Sequence, residues 1–157
     1  IYKHFPKKED VWNAVSETLC ARIVANAKID VSDGQAPIVR LRQLVASHIH
    51  LVTEFPALPE IMVARDPTGT LTDARHRIQR AMADFRVAIG WALEQASAAN
   101  HLREGLSVED GVSLLFGVIQ SLVLRLIVSR NPTNLAQDSE RLLDLQILLF
   151  MNKGVGV

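Results

Sequence analysis

The amino-acid sequence predicts an all-α domain of about six helices, and three observations carry that expectation. Apolar residues recur at helical spacing over most of the chain. Alternation of β-branched or aromatic residues with polar ones never persists for the length of a strand. Runs containing Pro, Gly or Asp fall at or between the apolar stripes, where they punctuate helices.

The first helix is expected over residues 8–30, where Val11, Val15, Leu19, Ile23 and Ala27 repeat every four residues beside Trp12 and Cys20. The run Val31-Ser32-Asp33-Gly34-Gln35 breaks it. Pro37 suits the first turn of the second helix, because its missing N–H would be unpaired there in any case. Ile38, Leu41, Val45, Ile49 and Val52 mark the stripe of that helix. The run Phe55-Pro56-Ala57-Leu58-Pro59 ends it and permits a short third helix over residues 59–65, before Asp66-Pro67-Thr68-Gly69 turns the chain. Thr70 with Asp73 has the spacing of a capping box, in which hydroxyl and carboxylate each satisfy a free backbone N–H. A long fourth helix follows, with stripe Leu71, Ala74, Ile78, Phe85, Ile89, Ala92 and Ala96, ending near Asn100. Ser107 with Asp110 repeats the start signal for a fifth helix, which Asn131-Pro132 terminates. The sixth carries Leu135, Leu142, Leu145 and Leu149, with Leu143, Ile147 and Phe150 on an adjoining stripe, so its apolar surface covers more than one face.

At 157 residues with 48% hydrophobic and 22% charged residues, the chain can bury a sizeable core and falls outside the disordered class. Seventeen basic and seventeen acidic side chains cancel, so it lacks the positive field of a complete nucleic-acid-binding domain. The single Cys20 cannot form an internal disulfide and no signal peptide opens the chain, which points to the cytoplasm. The chain starts on Ile rather than Met, so more of the gene product is expected upstream. The apolar run of residues 112–128 is shorter than the ~20 residues of a membrane span and carries Gln120 and Arg125. A buried helix of a soluble assembly is expected there, and no membrane partner.

The opening segment Ile1-Tyr2-Lys3-His4-Phe5-Pro6-Lys7-Lys8-Glu9-Asp10-Val11 resembles the segment joining the recognition helix to the fourth helix in TetR-family transcriptional regulators. There the order is a bulky apolar residue, Tyr, a basic or polar residue, His, Phe, one or two small or polar residues, Lys and an acidic residue. The rest of the chain resembles the family in helix order, helix lengths and its apolar last pair. The resemblance implies that residues 1–7 are the end of a DNA-recognition helix and its linker, and that residues 8–157 form an effector-binding and dimerisation domain. Tyr2 and His4 would then end the recognition helix, and Lys8 would stand where a DNA phosphate is bound. Helix N-termini present free N–H groups and a positive dipole end, which suits that role. The same residues also admit a structural reading, with Tyr2, Phe5 and Trp12 stapling the start of the helix and both lysines solvated. Lys7 departs from the family's Ser or Asn, a good N-cap.

No metal site is expected, because the histidines at 4, 48, 50, 76 and 101 lack Cys, Asp or Glu partners at ligand spacing. No catalytic residue is expected either: there is no GxSxG, no Gly-rich phosphate loop and no inward carboxylate pair, and no cofactor is called for. Arg75, Arg77 and Arg80 spread around their helix and are expected to be solvated.

His48 lies close to the centre of its helix's apolar stripe, whereas His50 points nearly opposite. It is either a core histidine bonded to a backbone carbonyl or a ligand contact. Gln120 sits between Phe116, Val123 and Ile127 on an apolar face, where it either completes a pocket or bonds across a subunit interface. An effector pocket is expected among His48, Met62, Phe85, Ile89, Phe116 and Gln120, each on or beside an inward stripe. Ser113, Gly117, Ser121 and Arg125 recur every four residues and would let another helix approach closely. Together with Leu142, Leu145 and Leu149 they mark the expected homodimer interface, since the last two helices carry more apolar surface than one core needs. The TetR resemblance likewise implies a four-helix bundle formed by the last two helices and those of a second copy. The functional expectation is a ligand-responsive repressor, in which a small, mostly apolar effector releases the dimer from operator DNA. The rival expectation is a constitutive architectural or protein-binding dimer with a filled core.

Overall fold

The computed structural model describes residues 7–28, 34–129 and 134–153. They form six helices, which we number α1 (Lys8–Ala27), α2 (Pro37–Glu54), α3 (Ala57–Val63), α4 (Thr72–Ala98), α5 (Val108–Ser129) and α6 (Leu135–Phe150). Among the described residues the only extended pairing is an isolated bridge between Leu102 and Met151. Tyr2 and His4, expected at the DNA, lie outside the described residues, as do Asn131-Pro132 and most of the break expected at 31–35. Lys8 is exposed at the first turn of α1.

The longest helix, α4, is the hub: α1, α2, α3 and α5 all pack on it, while α6 closes the other side against α2 and α5. Its expected stripe is buried throughout, from Leu71 and Ala74 to Ala96. Alanines at 74, 81, 88, 92 and 96 keep that surface low, which lets neighbouring helices approach. Phe85, Ile89 and Leu93 fill the centre with Leu41 and Leu51 from α2, Ile23 from α1 and Leu115 from α5. On α1 the buried face includes Ser16, while Val11 and Val15 are only half-buried. The Ser16 hydroxyl donates to the Asn13 carbonyl at 2.8 Å, which allows it to be buried.

The helix ends refine the expectations. Asp10 accepts a hydrogen bond from the Lys7 backbone N–H at 3.1 Å, half of a capping box without a capping hydroxyl. The short helix α3 begins at Ala57 rather than Pro59; Pro59 falls in its first turn, where no intrahelical N–H is needed. Thr70 does not cap α4. Its hydroxyl faces that of Thr68 at 2.7 Å, and the Asp66 carboxylate instead accepts from the N–H groups of Thr70 and Leu71 at 2.9 and 2.8 Å. The helix therefore starts one residue later than a cap at Thr70 implies, at Thr72. At its far end Asn100 takes a left-handed conformation, φ 60°. His101 N–H bonds to Ala96 O and Asn100 N–H to Ser97 O, both at 2.9 Å, the pattern of a Schellman cap. Ser107 does cap α5: its Oγ accepts from the Asp110 N–H at 3.0 Å and donates to the Asp110 carboxylate at 2.7 Å.

Two of the three arginines expected in solvent are engaged instead. Arg75 donates through Nε to Ile61 O at 2.8 Å and through Nη2 to Ala64 O, carbonyls at the C-terminal end of α3. Arg77 donates to Asn13 O at 3.3 Å and pairs with Glu17 at 3.3 Å, tying α4 to α1.

Candidate functional site

Four helices, α2 to α5, line a cavity of about 560 Å³ that is open to solvent on one side. Its position follows from element lengths. The short helix α3 bridges α2 and α4 but is too brief to cover the hydrophobic face that α5 presents there. Met82 from α4 and Phe116 and Val123 from α5 are therefore left half-buried along the cavity, with Ile78, Val52 and Ile119 buried beneath them in its floor. Among the described residues no Asp, Glu, Lys or Arg lines the cavity; its polar residues are His48, Gln79 and Gln120.

His48 is the buried one of these three, at 3% exposure. Its ring stacks on Phe85, centroids 4.5 Å apart and planes 23° from parallel, and Phe85 meets Phe116 at 5.7 Å in a tilted arrangement. Burial pushes the imidazole pKa down to about 4, so the ring is neutral at pH 7. A neutral imidazole still offers one N–H donor and one acceptor. Among the described residues none hydrogen-bonds to either nitrogen, so the carbonyl partner expected of a core histidine is absent.

Of the six residues expected at an effector pocket, His48, Met62, Phe116 and Gln120 line this cavity. Phe85 and Ile89 do not, because both are wholly buried in the core. Phe85 forms the wall behind His48. Ile78, Met82 and Ile119 line the cavity in addition, and the signal for the first two is their spacing of four on the inward face of α4.

A second feature lies on the opposite side of α5. Ser113, Gly117 and Ser121 line a groove with Leu142, Leu145 and Leu149 of α6. A Cβ added at Gly117 would meet nothing within 4 Å. Leu145 and Leu149 are about half exposed, as are Leu114 and Leu148. Arg125, expected to continue the small-residue strip, reaches instead to Asp138 of α6 at 3.0 Å. Hydrogen bonds from Arg125 and Arg141 hold the Asp138 carboxyl below its usual range. By length and composition α5 could also cross a membrane, being longer than the run marked in the sequence. Within the chain it buries one face only, packed against α4 and α6.

No model of a known protein family matches the sequence, and no curated protein matches it. Two solved structures do resemble the fold. A transcriptional regulator, FadR from Bacillus subtilis in complex with stearoyl-CoA, superimposes with a TM-score of 0.70 at 17% identity, over 95% of this chain and 80% of that one. SmeT, the repressor of the Stenotrophomonas maltophilia multidrug efflux pump SmeDEF, superimposes with a TM-score of 0.60 at 20% identity, over 95% of this chain and 83% of that one. The chain thus has the all-α fold of TetR-type transcriptional regulators.

Proposed function

We propose that this chain is the effector-binding and dimerisation body of a TetR-type transcriptional repressor, and that a small, mostly apolar molecule in the α2–α5 cavity releases the dimer from operator DNA. The observation that carries this reading is the cavity itself, with hydrophobic walls and one buried, unpartnered histidine. That is the usual make-up of a small-molecule site: apolar surface for affinity and a few polar groups for orientation. The two regulators with the same fold support it, since one holds a stearoyl thioester and the other represses a multidrug efflux pump. A constitutive dimer with a filled interior would have no use for such a void.

Effector control needs two global states and a ligand that binds one of them better. Here α4 supplies Ile78 and Met82 to the cavity and grips α1 through Arg77. A shift of α4 around a bound molecule would move α1, whose first turn carries Lys8. Tyr2, His4 and Lys8 would contact the DNA backbone on this reading, and the bases would be read by residues upstream. The groove along Ser113, Gly117 and Ser121 would receive the same helix pair of a second copy, burying the leucines of α6 and the outer face of α5. The assembly would work in the cytoplasm.

The test is a selection of genomic fragments by the full-length gene product, followed by addition of an apolar extract of the host. A near-palindromic fragment, bound by a dimer and released by the extract, is the expected result. Fragments bound without sequence preference, or binding indifferent to every extract fraction, would overturn the reading.

A further inference from the structure

The chemistry of the cavity wall restricts what it can hold. An ion moved from water into an apolar space keeps its affinity only if an opposite charge or several aligned dipoles replace its hydration. The lining here provides neither. Among the described residues its side chains are hydrophobic apart from His48, Gln79 and Gln120, and none of these is charged at neutral pH. Gln79 and Gln120 are exposed and stand at the rim, so the inner wall has a single polar group, the imidazole. Arg86, a positive charge on the neighbouring turn of α4, is not in the lining; its guanidinium lies over the Phe116 ring, 5.1 Å from the centroid. His48 cannot turn away from the cavity to find another partner without giving up its stack on Phe85.

We infer that the cavity selects uncharged lipophiles bearing one hydrogen-bonding group, which docks on the His48 imidazole, and that it discriminates against carboxylates and ammonium ions of the same chain length. The inference rests on the effector reading above and adds the charge class of the ligand. A hydroxyl, ester or amide satisfies both the imidazole and itself, so the buried polar pair costs little. A carboxylate or quaternary ammonium must either strand its charge against apolar walls or enter tail-first, leaving its head in water and His48 unpaired.

The test uses an uncharged fluorescent probe, N-phenyl-1-naphthylamine, displaced at pH 7.5 by dodecanol, dodecanoate or dodecyltrimethylammonium below their aggregation limits. Dodecanol is expected to displace the probe at a concentration at least about tenfold lower than either ion. In His48→Phe that advantage should fall severalfold while the probe still binds. In His48→Gln, which keeps a donor and an acceptor, it should largely persist, and this variant serves if the Phe variant does not fold. Equal or tighter displacement by either ion would overturn the inference but leave the effector reading standing. So would an advantage for dodecanol undiminished in His48→Phe. Failure of the wild-type protein to bind the probe or any of the three would overturn both.

Discussion

The imidazole of His48 lies face to face with the ring of Phe85, their centroids 4.5 Å apart, so that a polar side chain of α2 is held against the core of α4. Phe85 is completely buried and in turn touches Phe116 of α5. One contact chain therefore joins three of the four helices around the cavity, and the position of His48 is set by packing rather than by a hydrogen bond to the protein.

Stability should depend on pH through His48. Its folded pKa of about 4 lies below the ordinary value of 6.5, so the unfolded chain binds the proton more readily. The contribution is complete above about pH 6.5 and is lost as pH falls towards 4. Urea unfolding at pH 7.5 and pH 5 should differ by about 2 kcal/mol from this residue. In His48→Gln that part of the difference should vanish; an unchanged pH dependence would mean that His48 does not titrate as its burial requires.

Phe85→Ala should cost about 3 to 5 kcal/mol, because it empties the space behind His48 as well as its own. Urea unfolding measures the loss directly. A cost below about 1 kcal/mol would show that the ring does not fill the core as described.

Arg75→Ala should loosen α3 selectively. The guanidinium satisfies two carbonyls at the end of that helix, so its loss should cost about 1 to 3 kcal/mol. Because Met62 and Leu58 of α3 line the cavity, binding of N-phenyl-1-naphthylamine should weaken as well. Hydrogen exchange should quicken over residues 57–63, and uniform quickening across all helices would contradict the local role.

Gly117→Leu should separate subunits without unfolding them. Glycine costs a helix about 0.8 kcal/mol relative to better helix formers, and a Cβ added here meets nothing within 4 Å. Helix content should therefore be kept while sedimentation equilibrium shows a shift from dimer to monomer. A dimer of unchanged affinity would remove this groove from the interface.

Much of the fold was legible because helical periodicity survives in it. The stripe of α4 and the Ser107–Asp110 cap of α5 stand where the spacing puts them. The start of α4 was misplaced because Asp66, four and five residues away, competes for the N–H groups that Thr70 appeared positioned to cap. Periodicity shows which residues point inward but not which of them face a void. Phe85 and His48 share an inward address, and only the packing of α3 and α5 leaves His48 at the cavity while Phe85 is sealed behind it. The engagement of Arg75 and Arg77 was hidden for the same reason, since their partners lie on or at the end of other helices.

Native mass spectrometry of the full-length protein, purified from its host or incubated with the host's apolar extract, tests the central claim most directly. The account predicts a dimer carrying a molecule of less than about 1 kDa in each subunit, in keeping with the usual size of a small-molecule site, and loss of that molecule when Ile119→Trp fills the cavity. A dimer that retains nothing from either source, or one whose bound molecule is unaffected by Ile119→Trp, would contradict it.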